Sequence, residues 1–205
     1  VTKRMLFGIT RIAVIGDQIY TEETPVEDLE NIVYQDGFND GMVNGGITDL
    51  SVLTNLPNLK EVFLCNQKIS DISSLQELPI EGLYVCGNQI KDFSPVEKMQ
   101  ELSTLYLVDN PVGKMPELSG CTKLTRLALC GNDHETLDFL QGSSVCNLYA
   151  MGIYVEDESF GVLSTMQSLT ELYTGSEQKQ FYELHPELTE LRTLSLWGGN
   201  FGTDL

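Results

Sequence analysis

Five cysteines, two histidines and one dense acidic run are the residues of this sequence whose types could carry chemistry. Cys130 and His134 lie four apart, a spacing open to a nucleophile and its general base. The local pattern separates them: Cys130 reads as outward on a short strand, and His134 occupies an inward, aliphatic-type position beyond the following turn. His185 precedes Pro186 in a turn, so the two histidines share no constellation and neither hydrolase nor zinc chemistry is expected. Cys65, Cys86, Cys121, Cys130 and Cys146 are odd in number and form no CxxC pair, which argues against a disulfide framework and a structural zinc site. Free thiols suit a reducing or anaerobic setting. The run Glu156-Asp157-Glu158 has a calcium-like composition but lacks the glycine and alternation of a calcium loop, and reads as a solvated loop. There is no GxxxxGK[ST] phosphate loop. These residues imply no catalytic group, metal or cofactor; the expected protein is not an enzyme.

Charge and hydropathy bound the partners. Thirty Asp and Glu against twelve Lys and Arg give a net charge of −18. Such a field repels a phosphate backbone, so nucleic acid is not the expected ligand. No run of about 18 apolar residues occurs, so membrane insertion by a helix is not expected. The opening VTKRMLFGIT lacks the apolar stretch and cleavage site of a signal peptide, which a mature secreted chain would lack equally.

The elements that must position these residues are set by a repeat. ITRIAVIGDQI (9–19), LKEVFLCNQKI (59–69), IEGLYVCGNQI (80–90), LSTLYLVDNPV (102–112) and LTRLALCGNDH (124–134) each fit LxxLxLxxNxL. The last four begin at 59, 80, 102 and 124, a period of 21 or 22. Further units begin at Val145, Leu169 and Leu191, with a weaker one at Leu29, for about nine coils. Within a unit, Leu105 and Leu107 alternate with Thr104, Tyr106 and Val108, a short strand of period two. The second half places apolar residues three apart (Ile69, Ile72, Leu75, Leu78; Ile90, Phe93, Val96, Met99), which suits a 3₁₀ or tight-turn segment. One coil cannot bury its own apolar face, so coils must stack, pairing their strands in parallel at about 4.8 Å. Asn88, Asn110 and Asn132 close the turns by bonding backbone groups that the bend removes from the ladder, with Asp17 and Gln67 as near substitutes and Ile153, Glu177 and Gly199 as departures.

LPNLKEVFLCNQKISDISSL (56–75) and ITDLSVLTNLPNL (47–59) resemble the short leucine-rich repeats of bacterial internalin-like proteins. The resemblance covers most of residues 9–205 and is strongest over 47–132. It implies an α/β-type repeat solenoid, a right-handed superhelix with a concave parallel β-sheet and convex 3₁₀ or turn segments. In the better-known members the concave sheet is the partner surface, and that is what the resemblance implies here.

Two stretches depart from the period. Leu29 to Leu59 is about eight residues too long; the excess, near 35–46, reads as a protruding loop rich in Gly, Asn and Asp. Residues 153–190 read as irregular coils, with Lys179 where a core aliphatic belongs. No polar cap is visible at Gly202-Thr203-Asp204-Leu205, so residues 1–205 are expected to be a single repeat domain cut from a longer protein.

Outward strand positions then form columns. The central one reads Ala13, Val33, Phe63, Tyr84, Tyr106, Ala128, Tyr149, Tyr173, Ser195; its neighbour reads Ile15, Gln35, Cys65, Cys86, Val108, Cys130, Met151, Gly175, Trp197. Cys65, Cys86 and Cys130 read as small residues packing beside tyrosines, and Cys121 as a buried core residue. In an isolated solenoid both columns face solvent, and an exposed apolar stripe marks an interface. The expected partner-binding residues are Phe63, Tyr84, Tyr106, Tyr149, Tyr173, Trp197, Met151 and Val108. The alternatives are cross-strand stabilisation of the sheet and cover by a helix or arm from outside the chain. The sequence thus reads as a non-catalytic module that binds a protein partner of unknown identity. Its expected place is on the surface of a bacterial cell or secreted. The competing reading is an intracellular, cytoplasmic scaffold that docks on an enzyme.

Overall fold

The computed structural model describes residues 6–36, 43–132, 136–153, 157–175 and 188–197. Period-two segments become strands β1 (Arg11–Ile15), β2 (Gln18–Tyr20), β3 (Glu61–Cys65), β4 (Gly82–Tyr84), β5 (Thr104–Tyr106), β6 (Arg126–Ala128), β7 (Asn147–Ala150), β8 (Glu171–Gly175) and β9 (Thr193–Trp197). They form one sheet in the order β2-β1-β3-β4-β5-β6-β7-β8-β9. Every pair is parallel except β1–β2. The spacing-of-three segments become short 3₁₀ turns, among them Ser51–Asn55, Ser73–Leu75, Ser94–Lys98 and Asp138–Leu140. Inward leucines of the strands (Leu64, Leu83, Leu105, Leu127, Leu148) meet Ile72, Phe93 and Leu140 of those turns in one continuous core.

Turn chemistry repeats as faithfully as the leucines. Gly16, Asn66, Gly87, Asp109, Gly131 and Gly152, the residues on which the chain leaves β1 and β3 to β7, all have φ between 53° and 70°. Only Gly, Asn and Asp adopt this left-handed region readily, so residue type at this position fixes the bend. At Gly131 (φ 70°) a Cβ would also stand 2.0 Å from Asp109 Oδ1. One residue later sits the asparagine. Asn88 Nδ2 donates to Leu64 O (2.7 Å), Val85 O (2.9 Å) and Cys86 O (3.1 Å), and its Oδ1 accepts from Ile69 N–H (3.1 Å). Three successive convex turns begin the same way: Asp49, Asp71 and Asp92 accept from the backbone N–H of Ser51, Ser73 and Ser94 at 2.7–2.8 Å. These bonds hold the Asp49 and Asp92 carboxyls below the ordinary carboxylate range. Acid therefore weakens the convex turns: the stabilisation is present above a free aspartate's pKa and is lost as pH falls through the depressed values. Expected on titration from pH 6 to 3 is a fall in the protection of the Ser51 and Ser94 amides, measured against unstructured amides at the same pH, and not in Asp49→Asn, Asp92→Asn variants.

The N-terminal part differs from the expected array. The Leu29 match is not a coil, because residues Val26–Asp36 form an α-helix, α1. Val33 and Gln35 accordingly leave their columns: Ala13 pairs directly with Phe63, and Ile15 with Cys65. Gln35 and Asp36 end α1 rather than opening a loop, and 37–42 lie outside the described residues. Eight of the described strands are parallel members of the solenoid.

The physical reason is an insertion inside the first coil. After β1 the chain turns at Gly16 into the β1–β2 hairpin, runs through α1, and rejoins the solenoid near Gly45. There Gly45 N–H donates to Asn66 O (2.8 Å) and Lys68 N–H to Ile47 O (3.0 Å). Residues 9–16 and 45–58 together make one 22-residue unit. Gln67 sews the two pieces together. Its Nε2 donates to Gly16 O (2.7 Å) on one side, and its Oε1 accepts from Ile47 N–H (3.2 Å) on the other. Gln67 therefore does the work expected of it, whereas Asp17 lies exposed in the hairpin loop and accepts from Gln18 Nε2. Ile153 is buried. Of the stretch expected to be irregular, Asp157–Thr165 forms a nine-residue 3₁₀ segment and β8 is in register. Lys179, Glu177, His185 and Gly199 lie outside the described residues.

A concave face half covered by a helix

The strands carry apolar side chains on both faces, and α1 explains why. Val26, Leu29 and Val33 recur at three and four residues, one stripe of a helix. Leu29 and Val33 are fully buried. They form a second hydrophobic cluster with Ala13, Phe63, Tyr84 and Tyr106 of the central column and with Cys65, Cys86, Val108 and Cys130 of its neighbour. Phe63, Tyr84, Tyr106 and Val108, expected to face solvent, are at most 5% exposed. The cover comes from the chain itself. Burying Leu29 and Val33 is worth about 1.5–3 kcal/mol each.

The rings form a continuous column. Phe63 and Tyr84 stack at 3.9 Å and 7°, Tyr84 and Tyr106 lie 4.9 Å apart, and Tyr149 and Tyr173 stack at 4.5 Å and 13°. Ala128 is small, so Tyr106 and Tyr149 approach to 6.3 Å across it. An 11-residue helix is about 16 Å long and can cross roughly three strand spacings of about 4.8 Å. It cannot cover eight strands. Tyr149, Met151 and Tyr173 are accordingly only half-buried. The backbone of Trp197 pairs with Gly175 at the far edge.

One polar contact pins α1 to the sheet. Glu30 projects among the apolar residues of the helix and receives both guanidinium nitrogens of Arg126, each at 3.0 Å. Tyr84 donates its hydroxyl to the same carboxylate, and Arg126 Nη2 also donates to the Tyr106 hydroxyl (2.9 Å). The Glu30 and Arg126 side chains are 15% and 35% exposed. Burial disfavours the Arg126 charge, but the hydrogen bonds it donates to Glu30 and the fields of Tyr106 and Glu30 outweigh it, and its pKa is raised. Burial and the Glu30 carboxylate push the Tyr84 phenol up, so it remains a donor.

Glu61, on the same edge of the face, is less well served. Its Oε2 is buried with no hydrogen-bond partner among the described residues, and burial raises its pKa despite the opposing charge of Arg11. A carboxyl whose folded pKa is raised opposes folding once ionised. Glu61→Gln is expected to stabilise the chain at pH 7 by about 0.5 kcal/mol, held to that by partial solvent screening. The gain should vanish as pH falls through the raised value; urea melts at pH 7 and pH 4 read it.

The five cysteines are free. Burial raises the pKa of Cys86, Cys130 and Cys121, which makes them poor nucleophiles. His134 lies outside the described residues. Among the described residues no cluster of three or more His, Cys, Asp or Glu could hold a metal ion, and no helix is long and apolar enough to cross a membrane. A groove of about 800 Å³ lies on the opposite, convex side, lined by Lys114, Met115 and Phe139 among others.

Stacked coils, left-handed turn residues, an asparagine ladder and convex 3₁₀ segments define a leucine-rich-repeat solenoid. Solved structures place it with the internalin-like class in fold. The chain is similar to internalin C2 of Listeria monocytogenes, with a TM-score of 0.68 and 24% identity over 96% of this chain and 84% of that one. A leucine-rich-repeat protein of Leptospira interrogans is similar at a TM-score of 0.59 and 19% identity, covering 75% of this chain and 41% of that one. The plant peptide hormone receptor RGFR1, solved in complex with RGF2, is similar at 0.53 and 20%, covering 75% and 27%. Among curated proteins, leucine-rich repeat-containing protein 56 of Rattus norvegicus is 35% identical over 92 residues, and that of Homo sapiens 33%. The matched stretch is 43% of this chain but only 16–17% of those proteins. No protein-family model matches the chain.

Proposed function

We propose that the chain is a non-catalytic protein-binding module whose contact surface is the open half of the concave face, centred on Tyr149, Met151 and Tyr173 with Trp197 at its edge. The observation that carries this reading is the stacked Tyr149–Tyr173 pair, only half-buried where Phe63, Tyr84 and Tyr106 are buried. Tyrosines give large contact area with few rotors to immobilise, which is why interfaces concentrate them. Glu171, 3.5 Å from the Tyr173 hydroxyl, and the net charge of −18 favour a cationic partner segment over nucleic acid. Phe63, Tyr84, Tyr106 and Val108 support α1 rather than a partner directly. Display on, or secretion from, a bacterial cell is part of this reading.

The test is the affinity of Tyr149→Ala and Tyr173→Ala chains for a partner identified by crosslinking. Each is expected to lose about tenfold or more, with Tyr20→Ala, at the other end of the sheet, as control. Unchanged affinity in both folded variants overturns the proposal. Five free cysteines carry a second reading, an intracellular scaffold docking on an enzyme; fractionating the native protein from its source cells separates the two.

A further inference from the structure

Part of the concave face is covered by a helix of the chain itself. Leu29 and Val33 fill the apolar cluster with Val26 and Ile32 half-buried against it, Glu30 meets Arg126 and the Tyr84 hydroxyl, and Glu27, Asp28 and Asn31 are exposed. α1 adds no strand to the parallel array, and residues 9–16 and 45–58 complete the first coil without it. The solenoid core on the other side of the sheet is a separate cluster that contains no α1 residue. The helix can therefore leave without opening that core, as a local unfolding unit. Its departure would uncover Phe63, Tyr84 and Tyr106, making one uninterrupted aromatic column with Tyr149 and Tyr173.

We infer that α1 is a displaceable occupant of a helix-binding groove, and that the groove takes a partner's amphipathic helix bearing a carboxylate between two apolar residues spaced as Leu29 and Val33 are. The specificity element is Arg126, whose two nitrogens match a carboxylate and which the Tyr106 hydroxyl helps to orient, with the Tyr84 hydroxyl as a further donor to that carboxylate. This rests on the concave face being a protein-binding surface, but it concerns the covered half and a partner of opposite charge character.

The cysteines make it measurable in the full chain. Cys65, Cys86 and Cys130 lie in the cluster beneath α1, Cys121 lies in the solenoid core, and Cys146 is half-exposed. With a thiol reagent under native conditions, Cys146 should react first. Cys65, Cys86 and Cys130 should follow at least tenfold faster than Cys121. Glu30→Gln and, separately, Arg126→Met should speed those three by tenfold or more and leave Cys121 unchanged. A peptide of residues 24–36, TPVEDLENIVYQD, added to a Leu29→Asp, Glu30→Gln chain should bind and protect the three thiols again. The same peptide with Gln in place of Glu30 should bind about tenfold more weakly. Reaction of all three only in step with Cys121, in the native chain and both single variants, overturns displacement. Failure of the peptide to protect the opened chain overturns helix recognition. Neither result touches the Tyr149 and Tyr173 affinities, so the two readings fail separately.

Discussion

Asn110→Ala is expected to cost about 3 kcal/mol of stability, far more than its loss of a few atoms suggests. Asn110 is 4% exposed. Its Nδ2 donates to Val85 O (2.9 Å), Leu107 O (2.9 Å) and Val108 O (3.3 Å), and its Oδ1 accepts from Ile90 N–H (3.1 Å). Val85 O also receives Asn88, and Leu107 O also receives Asn132, so those carbonyls keep one partner. Ile90 N–H keeps none among the described residues, and Ile90 is buried. The ladder is coupled as well, since Asn132 Oδ1 accepts from Asn110 N–H at 2.7 Å. For a chain of this size the loss corresponds to a midpoint lower by about 10 °C. Asn55→Ala is the control: its Nδ2 bonds Val52 O at the exposed surface, and its loss should stay within about 0.5 kcal/mol. If thermal melts place the two variants together, the asparagine ladder does not hold the coils.

The ladder was legible in the sequence because a 22-residue period, a period-two strand and an asparagine all had to agree. Register followed from that agreement. The pairs Phe63–Tyr84, Tyr84–Tyr106 and Tyr149–Tyr173 lie where the columns put them. The helix was not legible in the same way, because Leu29, Ile32 and Tyr34 satisfy three positions of LxxLxL while Val26, Leu29 and Val33 satisfy a helical stripe. Two signals could have decided it. Thr24-Pro25-Val26-Glu27 has the S/T-x-x-E spacing of a capping box with Pro at the second place, and no asparagine closes the Leu29 unit. The burial of Phe63, Tyr84 and Tyr106 has a related cause. VFLC, LYVC and LYLV are unbroken apolar runs, the pattern of parallel strands buried on both faces. Something had to cover the outer face, and the residues that do so stood in the sequence under a repeat's disguise. In β8, ELYTG, the run is broken by Glu171, and there Tyr173 is only half-buried.

Glu30→Gln and Arg126→Met should each cost about 3 kcal/mol, while the double variant should cost about 4 kcal/mol rather than the sum of the two. Removing one partner leaves the other as an uncompensated charge in an apolar cluster; removing both leaves none. The cycle should therefore give a coupling of about 2 kcal/mol. Salt separates this pair from the surface pairs Lys60–Glu81 and Lys123–Glu101, whose side chains are 41–54% exposed. Raising ionic strength to 1 M should weaken those and leave the Glu30 cycle almost unchanged. The loss also has a ceiling. Once α1 has detached, further damage to its contacts cannot lower the stability of the remaining solenoid, so urea melts of variants with several α1 contacts removed should converge on one midpoint. Convergence would mean that α1 and the solenoid are separable in energy, as their separate hydrophobic clusters are in space. Additive losses without a plateau would mean instead that the helix is an integral part of the fold. A buried ion pair adds little stability that a well-packed apolar pair would not, yet it fixes which helix register the groove accepts. A Glu30→Met, Arg126→Met chain as stable as the native one would show that Glu30 sets where α1 sits rather than how tightly it is held.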